Sequence, residues 1–77
     1  MRVKVIVTLK SGVLDPQGKA IQQTLKGMAF NNVTEVRQGK YFELEIDEKN
    51  ESKAKSIAED MCKKLLANLV IEDFKII

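Results

Sequence analysis

Residues 9–21 read LKSGVLDPQGKAI, and how this stretch is divided decides the fold. Upstream, Val3, Val5, Val7 and Leu9 alternate with Arg2, Lys4, Ile6 and Thr8. That period of two, rich in β-branched residues, predicts a strand with one face buried. Downstream, Ile21, Leu25 and Met28 share one face of a helix, with Ala20, Thr24 and Ala29 beside them. Between the two patterns lies a β-to-α junction. Asp15 offers a side-chain oxygen to the free amides of the helix start, and Pro16 suits the first helical position. Lys10 to Leu14 is then a loop, and the helix runs to about Ala29. Gly18 falls inside the first helical turn, where glycine costs roughly 1 kcal/mol relative to alanine. Something close by must require the missing side chain.

Working outward, Phe30-Asn31-Asn32 is a helix exit, with two asparagines that take left-handed or turn geometry cheaply. A short strand is expected over roughly Val33 to Arg37, a tight turn at Gln38-Gly39-Lys40, and a return strand from Tyr41 to Ile46. In the return strand Phe42, Leu44 and Ile46 face one way, and Tyr41, Glu43 and Glu45 the other. Ala54, Ile57, Ala58, Met61, Cys62, Leu65 and Leu66 then mark an uninterrupted helical stripe. Asn50 or Ser52 caps its start, Lys63 and Lys64 favour its C-terminal end, and Asn68 and Leu69 end it. Val70 to Ile77 supplies a last strand. The order β-α-β-β-α-β predicts an α+β, ferredoxin-like sandwich: one antiparallel sheet with two helices on one face. Ile6, Tyr41, Ile71 and Ile77 are apolar candidates for the opposite face.

The 77 residues are expected to form a single domain, 1–77. A chain of this size buries only roughly 60–65% of its unfolded surface, so it needs support from disulfides, metal or a partner. Cys62 is the only cysteine and there is no histidine, which leaves association as the support. Thirteen basic and 11 acidic residues give a net charge of +2, no argument for nucleic acid or an anionic membrane. No signal-peptide core and no run of about 18 apolar residues is seen, so a cytoplasmic location is expected, with no membrane partner.

Catalytic chemistry is sought and not found. Without histidine no nucleophile–base pair can be assembled. Cys62 sits on the apolar stripe and reads as a buried, inert thiol. Glu43 and Glu45 read as a solvated strand face, and the charges between Glu48 and Lys64 as the wet side of a helix. RQGKYFELEI superficially resembles an aromatic RNA-binding strand, but Tyr41 and Phe42 are adjacent and point to opposite faces. An anion at the Lys10–Gly18 loop would compete with the Asp15 carboxylate, and no phosphate-binding glycine loop is present.

LKSGVLDPQGKAI, NNVTEVRQGKYFELEID and MCKKLLANLVIEDFKI together resemble the PurS family, the small subunit of phosphoribosylformylglycinamidine synthase. The most specific pieces are Gly12–Gly18 and Val36–Lys40; Leu69 departs from the family, which often has proline there. The resemblance implies a non-catalytic subunit of a three-chain complex of purine biosynthesis. There a glutaminase subunit releases ammonia and a synthetase subunit, with ATP and Mg, activates the amide that ammonia attacks. The small subunit, as homodimer or tetramer, is implied to bridge the two and support ammonia transfer, with no cofactor of its own. Candidate subunit-interface residues are Gly12, Asp15, Pro16, Gln17 and Gly18, and around the return strand Arg37, Lys40 and Tyr41. Gly12 and Gly18 are read as making room for another backbone in the complex; the alternative is packing within the chain. The runner-up function is a small-molecule regulatory module of ACT type, which shares the element order.

Overall fold

The computed structural model describes residues 1–77. The elements are β1 (Arg2–Leu9), α1 (Pro16–Gly27), β2 (Gly39–Glu45), α2 (Glu51–Met61) and β3 (Glu72–Ile76). α2 runs on into a single π-helical turn over Cys62–Leu66. β1 is the centre of a three-stranded sheet of order β2-β1-β3, antiparallel on both sides. No helix is long and apolar enough to cross a membrane.

The alternation in β1 is realised as expected. Val3, Val5 and Val7 are buried, and across the ladder they meet Leu44, Phe42, Ile76 and Phe74. On the opposite face Ile6 lies beside Tyr41, and Arg2 pairs with Glu43 at 3.6 Å and Glu45 at 3.4 Å. That face is a wet, charge-laced surface. Exposed pairs of this kind contribute about 0–1 kcal/mol each, so they orient the face more than they stabilise it.

α2 covers the inner face through small side chains. Ala54, Ala58 and Cys62, spaced i, i+4, i+8, are fully buried against the valines of β1. Asn50 caps its start, its Oδ1 accepting from the Lys53 amide at 3.0 Å. The larger half of the predicted stripe turns outward instead. Ile57, Met61 and Leu65 are exposed, Leu65 by 83%. Below Met61 the Ala67 amide donates to the Cys62 carbonyl at 2.9 Å, five residues back. Leu66 continues the inward series at i+12, and the wide turn adds Ala67 to the core directly after it.

The sandwich is of the expected antiparallel α+β, ferredoxin-like kind, with three corrections. The segment 33–37 forms no strand, leaving β2 as a free sheet edge. Its backbone is engaged by α1: Gln22 Nε2 donates to the Thr34 carbonyl at 3.1 Å, and the Val36 carbonyl lies against Gly18. Gln38-Gly39-Lys40 is no turn, because Gly39 already pairs with Thr8 as the first residue of β2. Finally, α2 alone supplies the helical part of the core; Gly18 is the only buried residue of α1. Tied to 34–38 at its start, α1 leaves Ile21 and Met28 exposed and Leu25 half-buried.

α1 ends differently from expectation too. Phe30 N–H reaches the Leu25 carbonyl at 3.0 Å and Ala29 N–H the Lys26 carbonyl at 3.1 Å, the paired bonds of a Schellman motif. The left-handed residue of that motif is Ala29, at φ 71, not an asparagine. A Cβ there is strained. Ala29→Gly is expected to raise stability by about 0.5–1 kcal/mol, read as a higher urea midpoint with unchanged slope. An unchanged or lower midpoint would contradict the strain.

Candidate functional site

The junction quoted at the outset is held by one carboxylate. Asp15 is buried; its Oδ1 accepts from the Gly18 amide at 2.9 Å and its Oδ2 from the Gln38 amide at 2.7 Å. The first bond caps α1 and the second fixes the entry to β2. The Gln38 amide first, then that of Gly18, hold the Asp15 carboxyl below the ordinary aspartate range, because both bond only to its charged form well. Arg37, also nearby, acts in the same direction.

Arg37 ties down the loop before the helix. Its Nη1 donates to the Val13 carbonyl at 3.0 Å, and its Nη2 to the Lys10 and Leu9 carbonyls at 3.1 and 3.4 Å. Gly12 in this loop has φ +88 and open space around it, so its glycine serves backbone conformation. Gly18 is different. A Cβ there would collide with the Val36 carbonyl and sit 2.8 Å from Asp15 Oδ2. The close backbone approach that its glycine permits is therefore made inside the chain, by the 33–37 segment. The interface role given to Gly18 in the sequence is not needed to explain it.

Asp15 and Arg37 are thus brought together around a cleft of about 290 Å³, walled also by Lys19, Gln22 and Thr34, with Gly18 behind it on the Asp15 carboxylate. Pro16 and Gln17 are exposed on the helix start beside it. Lys40 and Tyr41 stand apart on β2. Lys40 Nζ lies 3.8 Å from Glu72, and the Tyr41 hydroxyl donates to Glu43 Oε1 at 3.0 Å. Partial burial of the phenol, and next its bond to Glu43, push its pKa up.

A second concavity was not anticipated. Leu44 of β2 with Ile57, Met61, Leu65 and Leu66 forms an apolar groove of about 510 Å³, rimmed by Asp60 and Lys64. These residues were legible as one helical stripe, but the period cannot tell which half faces the sheet. The signal available was size: alanine and cysteine at i, i+4, i+8 suit close packing, leaving the long side chains outside.

Neither concavity holds an acid–base or nucleophilic set. Cys62 is buried, and burial pushes its thiol pKa up, so it is a poor nucleophile. No cluster of three or more metal-ligating side chains is formed. What the surface offers is shape and apolar area.

Two outcomes test the junction. Gly18→Ala is expected to lower the stability of the isolated chain by about 1–3 kcal/mol, since the added methyl meets backbone. A denaturant midpoint equal to that of the parent would return Gly18 to the interface. Asp15 has a lowered folded pKa, so its contribution is full above its ordinary value of 3.8 and is lost as pH falls through the folded value. Asp15→Asn should therefore be less stable at neutral pH and lose less than the parent on acidification below about pH 4. Parallel pH curves for the two proteins would refute the carboxylate staple.

The chain matches the family model described as PurS, phosphoribosylformylglycinamidine (FGAM) synthase, over residues 2–77. It is 53% identical over 74 residues to the phosphoribosylformylglycinamidine synthase subunit PurS of Bacillus subtilis, covering 96% of this chain and 87% of that one. To the subunit of the same name from Methanocaldococcus jannaschii it is 48% identical, covering 97% and 90%. Among solved structures, B. subtilis PurS aligns with a TM-score of 0.85 at 51% identity, over 99% of this chain and 94% of that one. A chain of the Thermotoga maritima PurLQS structure aligns with a TM-score of 0.87 at 32% identity, over 100% and 96%. A fold and a sequence shared over essentially the whole length leave one assignment, and the chain belongs to the PurS family.

Proposed function

We infer that this chain is the small, non-catalytic subunit of a three-chain phosphoribosylformylglycinamidine synthase, an ATP-dependent carbon–nitrogen ligase complex that takes its nitrogen from glutamine. In that role it bridges the glutaminase and synthetase subunits and supports the passage of ammonia between them. ATP and Mg belong to the synthetase subunit, and this chain carries no cofactor. It works in the cytoplasm as a homodimer or homotetramer.

The observation that supports this most is family membership over residues 2–77, joined to a surface with apolar relief. A chain whose largest fully buried side chains are Val5, Val7 and Cys62 has a thin core of its own. Such a chain gains from partners. Gly12, Asp15, Pro16, Gln17, Arg37, Lys40 and Tyr41 remain the candidate contacts, with Asp15 and Arg37 acting by shaping the junction they hold. Family membership takes precedence over the ACT-type alternative, which shared only the element order.

Reconstitution tests the reading. Synthetase and glutaminase subunits from the same organism are assayed with and without this chain, on glutamine and on ammonium. Glutamine-dependent product is expected only with the chain present, with ammonium-dependent product far less affected. Equal rates with and without the chain on both donors would overturn it.

A further inference from the structure

Residues 11–38 leave the sheet and return to it without entering the core. Neither the eight buried residues of that core nor the five packed against it include any position in this stretch. Within it only Asp15 and Gly18 are buried. What holds it together is a ladder of polar ties between an outgoing limb, up to α1, and a returning limb. Arg37 bonds the Leu9, Lys10 and Val13 carbonyls at the base. Asp15 takes the Gln38 amide next, and Gln22 reaches the Thr34 carbonyl further out. Between these two the Val36 backbone lies against Gly18. α1 rides on this ladder, and the chain is accordingly 48 Å long and 14 Å thin.

By itself α1 is a weak helix. It has 12 residues, with Gly18 in its first turn and no acidic side chain there. Helices shorter than about 12–15 residues are marginal in water, and glycine is among the poorest helix formers. Its cap is one oxygen of the Asp15 carboxylate, whose other oxygen is the tie to Gln38. Cap and tie are therefore lost together. We propose that residues 11–38 are an arm that orders and melts as one unit while the sheet and α2 stay folded, latched at its base by Arg37 and Asp15. A segment opens locally when it buries little apolar surface, and this one buries almost none. Arg37 suits the latch because a planar guanidinium reaches three carbonyls at once, which the point charge of a lysine does not. The face shared by Ile21, Leu25 and Met28 exists only while the arm is closed. Any partner that binds that face meets an affinity scaled by the closed fraction.

The test is hydrogen exchange of the dilute, isolated chain and two variants, with urea added below the unfolding range. In the unaltered chain the amides of residues 20–28 are expected to exchange faster than those of β1 and α2. Their urea dependence should also be weaker, since opening the arm exposes little surface. Arg37→Ala removes no hydrogen bond of α1, yet should speed its amides on the order of 10- to 100-fold, through the loss of charge-assisted bonds at the base. Val5→Ala hollows the core at a fully buried position. It should speed the amides of β1 and α2 by about 10-fold or more and leave those of α1 at their parental rates, because Val5 stays packed when the arm opens. Amides of α1 that exchange no faster than those of the sheet, or that Val5→Ala speeds equally, would make the chain one cooperative unit and overturn the proposal. Parental rates in α1 of the Arg37→Ala chain would reduce the motion to end fraying and overturn it too. The urea dependence of the unaltered chain decides the matter even where a variant fails to fold. Exchange is read on this chain alone, so either outcome leaves the synthase assignment standing.

Discussion

Two hydrogen bonds to one carboxylate govern how the chain is laid out. Asp15 takes the Gly18 amide with one oxygen and the Gln38 amide with the other, so the start of α1 and the entry to β2 are fixed to a single point. Gly18 must lack a side chain because the Val36 backbone passes there, and 33–37 cannot join the sheet because it is spent on α1. The direction of α1, the free edge of β2 and the exposed Ile21–Met28 face all follow. The other constraint is the close seat of α2, where Ala54, Ala58 and Cys62 bring the helix down onto the valines of β1. The same seat forces Ile57, Met61 and Leu65 outward.

Much of this was legible in the sequence. β1, the Asp15-Pro16 helix start, the core face of β2 and the existence of α2 followed from period, capping chemistry and β-branching. What was not legible had physical reasons. The strand at 33–37 has a reasonable pattern, yet strand pairing is a tertiary outcome, and a helix competing for the same backbone won. The left-handed position fell on Ala29 rather than Asn31 or Asn32, since the register of the last helical bonds decides it, not local propensity. The π-helical turn at Cys62–Leu66 leaves no mark in the period, since Leu66 continues the inward series and only Ala67 joins the core after it.

The candidate site divides along the same line. The role of Asp15 was readable from its position before Pro16, but its second bond, to Gln38, spans 23 residues and no local rule suggests it. Function itself was carried by whole-chain resemblance to a family, whereas composition alone reached only a non-catalytic association part. The groove lay hidden in a stripe that looked like core.

The placement of β1 has a consequence for how the chain acquires its structure. The first strand is also the middle one, and one of its partners comes late: Val5 to Leu9 pair with Ile76 to Glu72 at the far end of the chain. Loop closure over such a distance precedes any reward from pairing, which slows folding and makes it nearly all-or-none. Until β3 arrives, the valine face of β1 and the long side chains of α2 share solvent with a bare strand edge. In a cell making several subunits at once, that interval is when this small chain is most in need of company.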